Sequence, residues 1–318
     1  MNKFIITTTI NSPTKATVAY CQIAASKNWK FVIIGDTKTP HSEYRSLQEK
    51  YKGSVFYLSP DIQTHMYKEL SDSIGWKTIQ RRNVGFVYAY DAGADFVATV
   101  DDDNIPYSFW GDAIYIGKEV EIDIYEPKFQ TVFDPLSITK HNHVWHRGFP
   151  IEYVPDRHNV EYKGKTNRKV LIQSDLWDGD PDIDALARLT YKPIINYKDI
   201  TGPYGSSKIS PFNSQNTFID RSVLSDYMVL PNIGRMDDIW GSYLLQYHFP
   251  NSVVYNKATV YQDRNVQDLI TNLEKEIIGY RNTLKFVENI LSRDLNKSLE
   301  LLPDSTRKFV EIYKNSFK

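Results

Sequence analysis

A single cysteine, Cys21, is all this chain carries. That excludes an internal disulfide and any cysteine-rich zinc centre, and it fits a reducing compartment, with the cytosol as the default. Long apolar runs are missing too: none reaches the ~18 residues that a membrane-spanning helix needs. The opening MNKFIITTTI is too short and too rich in threonine to read as a signal peptide. Neither sign of charge dominates. Lys+Arg 38 against Asp+Glu 39 gives a formal net charge of −1, which argues against a general binder of nucleic acid or anionic membrane and leaves any phosphate chemistry to a local site. The sequence has no internal repeat and no low-complexity tract.

What is present starts with size. At 318 residues the chain can bury a substantial core as one large α/β domain, alone or with a helical appendage. Aromatics make up 14%, with Tyr 22 and Trp 6, which suits a cleft that stacks flat rings or sugars. The densest chemical signal is Asp101-Asp102-Asp103, which follows the apolar run from Phe96 to Val100 and precedes Asn104 and Pro106. The run predicts a buried strand and Pro106 ends it, so three carboxylates project from a sheet edge. Like charges this close repel and raise at least one pKa unless a cation neutralises them. Hard oxygen ligands of this kind suit Mg²⁺ or Mn²⁺. A solvated acidic turn or a helix cap is the competing reading.

Along the chain, strands are expected at Phe4 to Thr9, Lys30 to Ile34 and Ser54 to Leu58, with helices at Thr14 to Lys27 and Glu43 to Tyr51 between them. Such alternation implies βαβ units and a parallel sheet whose ligands gather beyond the carboxyl ends of strands. Lys77 to Tyr90 predicts a further helix, closed at Ala92-Gly93. From Tyr107 to Pro211 the pattern turns irregular and reads as a substrate-binding insertion. Arg235 to Gly241 opens a helix that reaches Tyr247, and Ser252 to Tyr255 predicts a late strand. Leu269, Leu273, Ile277, Tyr280, Leu284, Val287 and Leu291 recur at helical spacing, and a second tail helix is expected over Pro303 to Phe317. Mixed charge on the outer face favours an appendage for stability or dimerisation over a membrane motif.

Several blocks resemble the STELLO-type glycosyltransferase-like family: Thr8-Thr9-Ile10-Asn11-Ser12-Pro13-Thr14, Gly35-Asp36-Thr37-Lys38-Thr39-Pro40, Arg81-Arg82-Asn83-Val84-Gly85-Phe86, His146-Arg147-Gly148-Phe149-Pro150 and Gln215-Asn216-Thr217. Others are similar to the reversibly glycosylated polypeptides, the UDP-arabinopyranose mutases: Asp101-Asp102-Asp103, Arg147-Gly148-Phe149-Pro150, Leu176-Trp177, Pro181-Asp182-Ile183-Asp184-Ala185 and Gly234-Arg235-Met236-Asp237-Asp238-Ile239-Trp240. Order and spacing over residues 5–265 carry the resemblance, because no block is specific alone. The tail also looks similar to the STELLO-type end.

The resemblance implies an α/β fold of the GT-A (Rossmann-like) nucleotide-diphospho-sugar transferase type, with a mixed, mostly parallel central sheet and a C-terminal helical extension. Residues 1–265 would form the transferase domain, 1–106 its nucleotide-binding half and 107–265 its sugar and acceptor half, with 266–318 as the extension. The implied activity is metal-dependent transfer of a sugar from a nucleotide-diphospho-sugar, a UDP-sugar favoured, to a glycan or glycoconjugate acceptor in cell-surface polysaccharide synthesis. Mn²⁺ or Mg²⁺ is the expected cofactor, no nucleic acid is expected as a partner, and homo-oligomerisation stays open. The location it implies is cytoplasmic or peripheral to a membrane-bound glycan assembly system.

Transfer from such a donor builds oxocarbenium character on the sugar and negative charge on the departing diphosphate, which a bridging metal offsets. On the resemblance, Asp103 is the foremost metal ligand and Asp101 the second, while Asp101 and Asp102 also address the nucleotide. A late histidine ligand is missing from Val260-Tyr261-Gln262-Asp263-Arg264, so Asp263 or water is expected instead. Thr8, Thr9, Asn11, Asp36 and Lys38 fall at the first two strand ends and are expected in the nucleotide site; taken alone, Asp36 and Lys38 read equally well as turn formers. Arg82 and Asn83 are expected on diphosphate or base, with Arg81 facing solvent. Asp238, then Asp237, are candidates for the catalytic base, since resembling enzymes that invert the anomeric centre keep an acid at this turn, although carboxylates there also serve as caps. Arg147, Trp177, Asp182, Asp184, Asn213 and Asn216 are expected around sugar and acceptor. Arg147 carries an alternative, a mutase or self-glycosylating protein in which this arginine bears the sugar; a non-catalytic scaffold is a third reading. His141, His143 and His146 have metal-like spacing but no matching fourth ligand.

Overall fold

In the computed structural model residues 1–264 and 266–317 are described; Asn265, the expected domain boundary, and Lys318 lie outside the described residues. The first half follows the expected alternation: β1 (Lys3–Thr9), α1 (Lys15–Lys27), β2 (Trp29–Gly35), α2 (His41–Lys50) and β3 (Val55–Leu58). Thr14 caps α1 by accepting the Thr17 amide, and Asn28 closes it in the left-handed region at φ 55°. Two short helices that periodicity did not reveal come next, α3 (Pro60–Met66) and α4 (Lys68–Ile74). The helix expected from Lys77 begins later, with a 3₁₀ turn over Ile79–Arg81 leading into α5 (Arg82–Asp91). Gly75 and Lys77 account for the delay, since both hold positive φ, 75° and 63°, which no helix accommodates. β4 (Phe96–Val100) and the short β5 (Asn104–Pro106) bracket the three aspartates.

Residues 107–211 hold more regular structure than their pattern suggests: β6 (Glu119–Pro127), β7 (Val160–Lys169), β8 (Ile172–Gly179), α6 (Ala185–Tyr191) and β9 (Tyr204–Gly205). β10 (Asn216–Asp220), α7 (Asp237–His248) and β11 (Val253–Gln262) follow, and the tail forms α8 (Leu269–Leu291), α9 (Leu295–Glu300) and α10 (Asp304–Asn315). β11 runs seven residues past the expected end at Tyr255, because its pairing with β8 and β5 continues to Gln262.

All eleven strands join one mixed sheet in the order β3-β2-β1-β4-β10-β8-β11-β9-β6-β7, with β5 on β11. β3, β2, β1 and β4 are parallel. β10 is antiparallel to both β4 and β8, so β8 runs with β4, and β11 runs parallel to β8. The carboxyl ends of β1, β2, β4, β8 and β11 and the amino end of β10 therefore reach one edge of the sheet. That is where ligands collect in such folds, and the expected α/β class, with a mixed central sheet and C-terminal helices, is what the strand order shows.

The tail is built into that edge rather than hung from it. A Cβ on Gly234, which holds φ 62°, would collide with the Lys275 carbonyl oxygen of α8, so the 3₁₀ turn Gly234–Met236 and α8 meet backbone to backbone. Glu276 of α8 is wholly buried and accepts from the Ala185 amide (2.9 Å) and from Nε of Arg235 (2.8 Å). Among the described residues no helix is long and apolar enough to cross a membrane.

Candidate active site

Two cavities share a wall at this edge. The smaller, about 260 Å³, has Thr8, Thr9, Asn11, Asp36, Lys38 and Asp102 in its lining. The larger, about 570 Å³, is lined by Asp101, Asp103, Arg147, Asp182, Asp237 and Asp238, among others. Lys77, Thr78 and Ile79 belong to both linings. The residues expected at the first two strand ends thus gather in one place, and the expected acidic residues gather next door.

Successive residues after Val100 part company. Asp102 turns to the smaller cavity, where its Oδ2 accepts from Thr9 Oγ1 (2.5 Å) and Asn11 Nδ2 (3.0 Å). Asp101 faces the larger one and pairs with Arg82, whose guanidinium also donates to the Ser214 carbonyl (2.7 Å) and hydroxyl (2.5 Å). Burial, and then the charge of Asp101, push the Asp103 carboxyl up to about 7. Oδ1 of Asp103 is buried with no hydrogen-bond partner, as are Oε1 and Nε2 of Gln262 and Oε1 of Gln215, all on residues lining the larger cavity. Each unpaired buried polar atom costs roughly 1–3 kcal/mol, so a cluster of them marks a place for a polar ligand.

That donor set fits a hard divalent cation. Among the described residues no three His, Cys, Asp or Glu side chains are placed to hold a metal by themselves, so a cation here would draw on Asp101, Asp103, Gln262 and oxygens of its substrate. Asp263, expected as a ligand, is exposed and meets Asp103 through its backbone amide on the Asp103 carbonyl (3.0 Å). Strand alternation explains the exchange: at the end of β11 Gln262 turns inward and Asp263 outward.

Arg147 sits at the centre of the acidic group. Its Nε and Nη2 donate to Asp182 Oδ2 (3.0 and 2.7 Å), Nη2 lies 3.0 Å from Asp238 Oδ1, and Nη1 lies 3.6 Å from Asp237 Oδ1. Burial disfavours its charge, yet the carboxylates of Asp182, Asp238 and Asp237 outweigh that and raise its pKa further. Asp182 also takes Arg235 (2.8 Å) and Arg264 (3.5 Å) on Oδ1. Burial works against its charge as well, but the three guanidiniums hold its carboxyl well below the usual range.

At the start of α7, Asp238 accepts from the Ser214 amide (2.9 Å) and hydroxyl (3.0 Å), while Asp237 accepts from Gln80 Nε2 (2.8 Å). Burial, then repulsion from Asp238, push Asp237 up to about 7. A carboxylate held near 7 can take up and release a proton near neutrality, and both expected candidates for the base, Asp238 and Asp237, stand at this helix start.

Several expected ligand contacts turn out to be framework. Trp177 is buried on β8, edge-on to His146 at 5.8 Å, and offers no face to a sugar. Asp184 caps α6 through the Leu186 amide (2.9 Å) and receives the Tyr280 hydroxyl (3.0 Å). Asn216 holds the Leu176 carbonyl (3.1 Å) and the Thr259 hydroxyl (2.8 Å), and Asn83 exchanges bonds with the Val229 backbone. Asn213 does reach the acidic group, 3.4 Å from Asp182. Arg81, expected in solvent, is buried against Gln63 and Ser71 with Trp76 stacked at 3.8 Å, and Arg82 is buried behind Asp101. Asp36 has its oxygens engaged by the amides of Thr37 (2.5 Å), Lys77 (2.6 Å) and Thr78 (3.1 Å). His146 lies in the core with Nδ1 on the Arg147 carbonyl, and the three histidines do not converge. Gln80, Ser214, Gln215, Arg235, Gln262, Arg264 and Lys77 line the site without a role assigned from sequence; nothing in a lone amide, hydroxyl or basic side chain distinguishes it before the chain is folded.

Fold and site together define an α/β protein with one mixed sheet and two adjoining cavities at a single sheet edge, the larger of them acidic. No family model matches the chain. In sequence it is similar to "Probable glycosyltransferase STELLO2" of Arabidopsis thaliana, 26% identical over 327 aligned positions that cover 91% of this chain and 41% of that protein. It is also similar to "Probable glycosyltransferase STELLO1" of the same organism, 27% identical over 270 positions, 76% of this chain and 33% of that protein. The chain spans less than half the length of these curated relatives. Among solved structures it is similar to S. aureus TarS 1-349, with a TM-score of 0.44 and 12% identity over 100% of this chain and 90% of that one. It is similar as well to glucosyl-3-phosphoglycerate synthase from Mycobacterium tuberculosis, with a TM-score of 0.43 and 10% identity over 96% and 81%.

Proposed function

We propose that this chain is a metal-dependent glycosyltransferase that moves a sugar from a nucleotide-diphospho-sugar, a UDP-sugar favoured, to a hydroxyl of a glycan or glycoconjugate. The observation that carries this reading is the division of Asp101, Asp102 and Asp103 between two adjoining cavities. A donor of this class has two chemically different ends. Its nucleoside suits the smaller cavity, with Thr8, Thr9, Asn11 and Lys38 around it and Asp102 as acceptor. Its sugar suits the larger, in front of Asp237.

Mn²⁺ or Mg²⁺ on Asp101 and Asp103 would neutralise charge on the departing diphosphate. The chain's own groups do the rest. Asp237, poised near 7, accepts the proton of the attacking hydroxyl as its oxygen bonds to the anomeric carbon. Arg147 holds Asp182 and Asp238 in fixed positions, and Asn213 and Arg235 complete the wall that orients the acceptor. Both similar plant proteins are named probable glycosyltransferases, which agrees with this assignment. Arg147 as a sugar carrier is disfavoured, because its nitrogens are already engaged by three carboxylates and the Arg235 carbonyl.

Calorimetric titration of UDP, GDP and CDP, each with and without Mn²⁺, into wild type and Asp103→Ala tests the reading. Metal-dependent binding of one nucleotide, lost in the variant, is expected. No binding by folded wild type would overturn it and favour a scaffold.

A further inference from the structure

We infer that Lys77 binds the diphosphate of the donor at the junction of the two cavities, presented there by Asp36; this rests on the donor-site reading above. The junction is narrow in sequence terms: Lys77, Thr78 and Ile79 are the residues common to both linings. In a nucleotide-diphospho-sugar the group between nucleoside and sugar is the diphosphate, so whatever spans the two cavities passes Lys77 with its negative charge.

The backbone at this point is unusual for a lysine. Lys77 holds φ 63°, a left-handed conformation that a long side chain adopts when its surroundings impose it. Asp36 imposes it. Its buried carboxylate accepts the amides of Lys77 (2.6 Å) and Thr78 (3.1 Å) through one oxygen and that of Thr37 (2.5 Å) through the other. Trp76, one residue earlier, stacks on the Arg81 guanidinium at 3.8 Å. Glycine would relax this backbone, so what lysine contributes here is its side chain.

Charge accounting at the larger cavity points the same way. Arg147 is paired with Asp182, Asp237 and Asp238, Arg235 with Asp182 and Glu276, and Arg264 with Asp182. Lys275 lines the larger cavity alone, and Lys38 the smaller alone. Lys77 is exposed and is the cation that borders both, and among the described residues its ammonium enters no ion pair. An ammonium is a compact point charge able to follow phosphate oxygens from either side.

The test is calorimetry of uridine, UMP and UDP with Mn²⁺, and of the guanosine series in parallel, on wild type, Lys77→Gly and Lys77→Arg. For Lys77→Gly, diphosphate affinity is expected to fall about ten-fold or more, as for loss of one charge-assisted contact, while nucleoside affinity stays and the melting temperature is unchanged or higher. Lys77→Arg keeps most of the diphosphate affinity. If wild type binds a nucleoside diphosphate and Lys77→Gly binds it equally, this inference falls and the donor site stands. If wild type binds none, both fall together.

Discussion

Gln80 donates to Asp237 across 2.8 Å and so joins the turn between the two cavities to the acidic start of α7. A donor to a carboxylate favours its charged form. With Asp237 pushed up to about 7 by burial and Asp238, kcat/KM for sugar transfer should rise with pH and level off above about 7. Asp237→Asn should lower turnover by roughly 10²–10⁴-fold and leave nucleotide affinity intact. Replacing Gln80 by Leu should move the acid limb to higher pH. A profile with no limb near neutrality would remove Asp237 from the role of base.

Arg147 tests the buried ion-pair group. Arg147→Met leaves the buried Asp182 and Asp238 without their shared cation, which should cost about 3–5 kcal/mol in urea unfolding; Arg147→Lys, losing the two-nitrogen grip on Asp182, should cost less. Incubation of wild type with UDP-sugars should leave the intact mass unchanged. A stable adduct lost in Arg147→Ala would instead support self-glycosylation.

Asp175 gives a stability prediction away from the site. It is buried on β8, and burial pushes its carboxyl up to about 7 against donors from Gln173 (2.8 Å), Thr259 (3.0 Å) and Asn256 (3.2 Å). Its folded pKa lies above the unfolded value of about 3.9, so the native state holds more protons between the two. Its contribution is therefore full below about pH 4 and is lost as pH rises to about 7, on the order of 4 kcal/mol. Thermal melts should show lower stability at pH 8 than at pH 5, and Asp175→Asn should flatten that slope.

Glu276 tests whether the tail belongs to the site. Glu276→Gln weakens the charged bond to Arg235 and should lower stability by about 1.5–3 kcal/mol, with a several-fold loss of turnover as Arg235 loosens from Asp182. Gly234→Ala should do similar damage from the other side of the contact. Unchanged turnover in both variants would return the tail to the status of an appendage.

The first three strands, α1, α2 and the acidic strand were legible because local signals suffice there: apolar runs alternating with helical stretches, and a Gly93 stop. Clustering of Thr8, Thr9, Asn11, Asp36 and Lys38 followed from one rule, that parallel strands end together. β10 was not legible, since its partners begin at Val100 and Ser174 and no neighbouring residue announces them. β8 misled in a specific way. Seven of its eight residues are buried, so no alternation revealed that Trp177 faces core. β7 is the opposite case, a charged and largely exposed edge strand whose polarity hides its pairing with β6 while discouraging pairing with other chains. Asn83 looks like a ligand-binding group by type and Arg81 like a solvent-facing one, and only tertiary contacts with Val229, Gln63 and Ser71 reveal both as internal struts.

The alternation of Asp101, Asp102 and Asp103 between two cavities makes this segment a matter of count rather than composition. Its ends are fixed, Thr99 opposite Ile6 in β1 through its strand and Asn104 opposite Gln262 in β11, so no slack exists to absorb an extra residue. Replacing one carboxylate by its longer homologue would keep every address and change only reach. Inserting or deleting one residue would send each acid to the wrong room, so over evolutionary drift this stretch should tolerate spelling changes far better than changes of length.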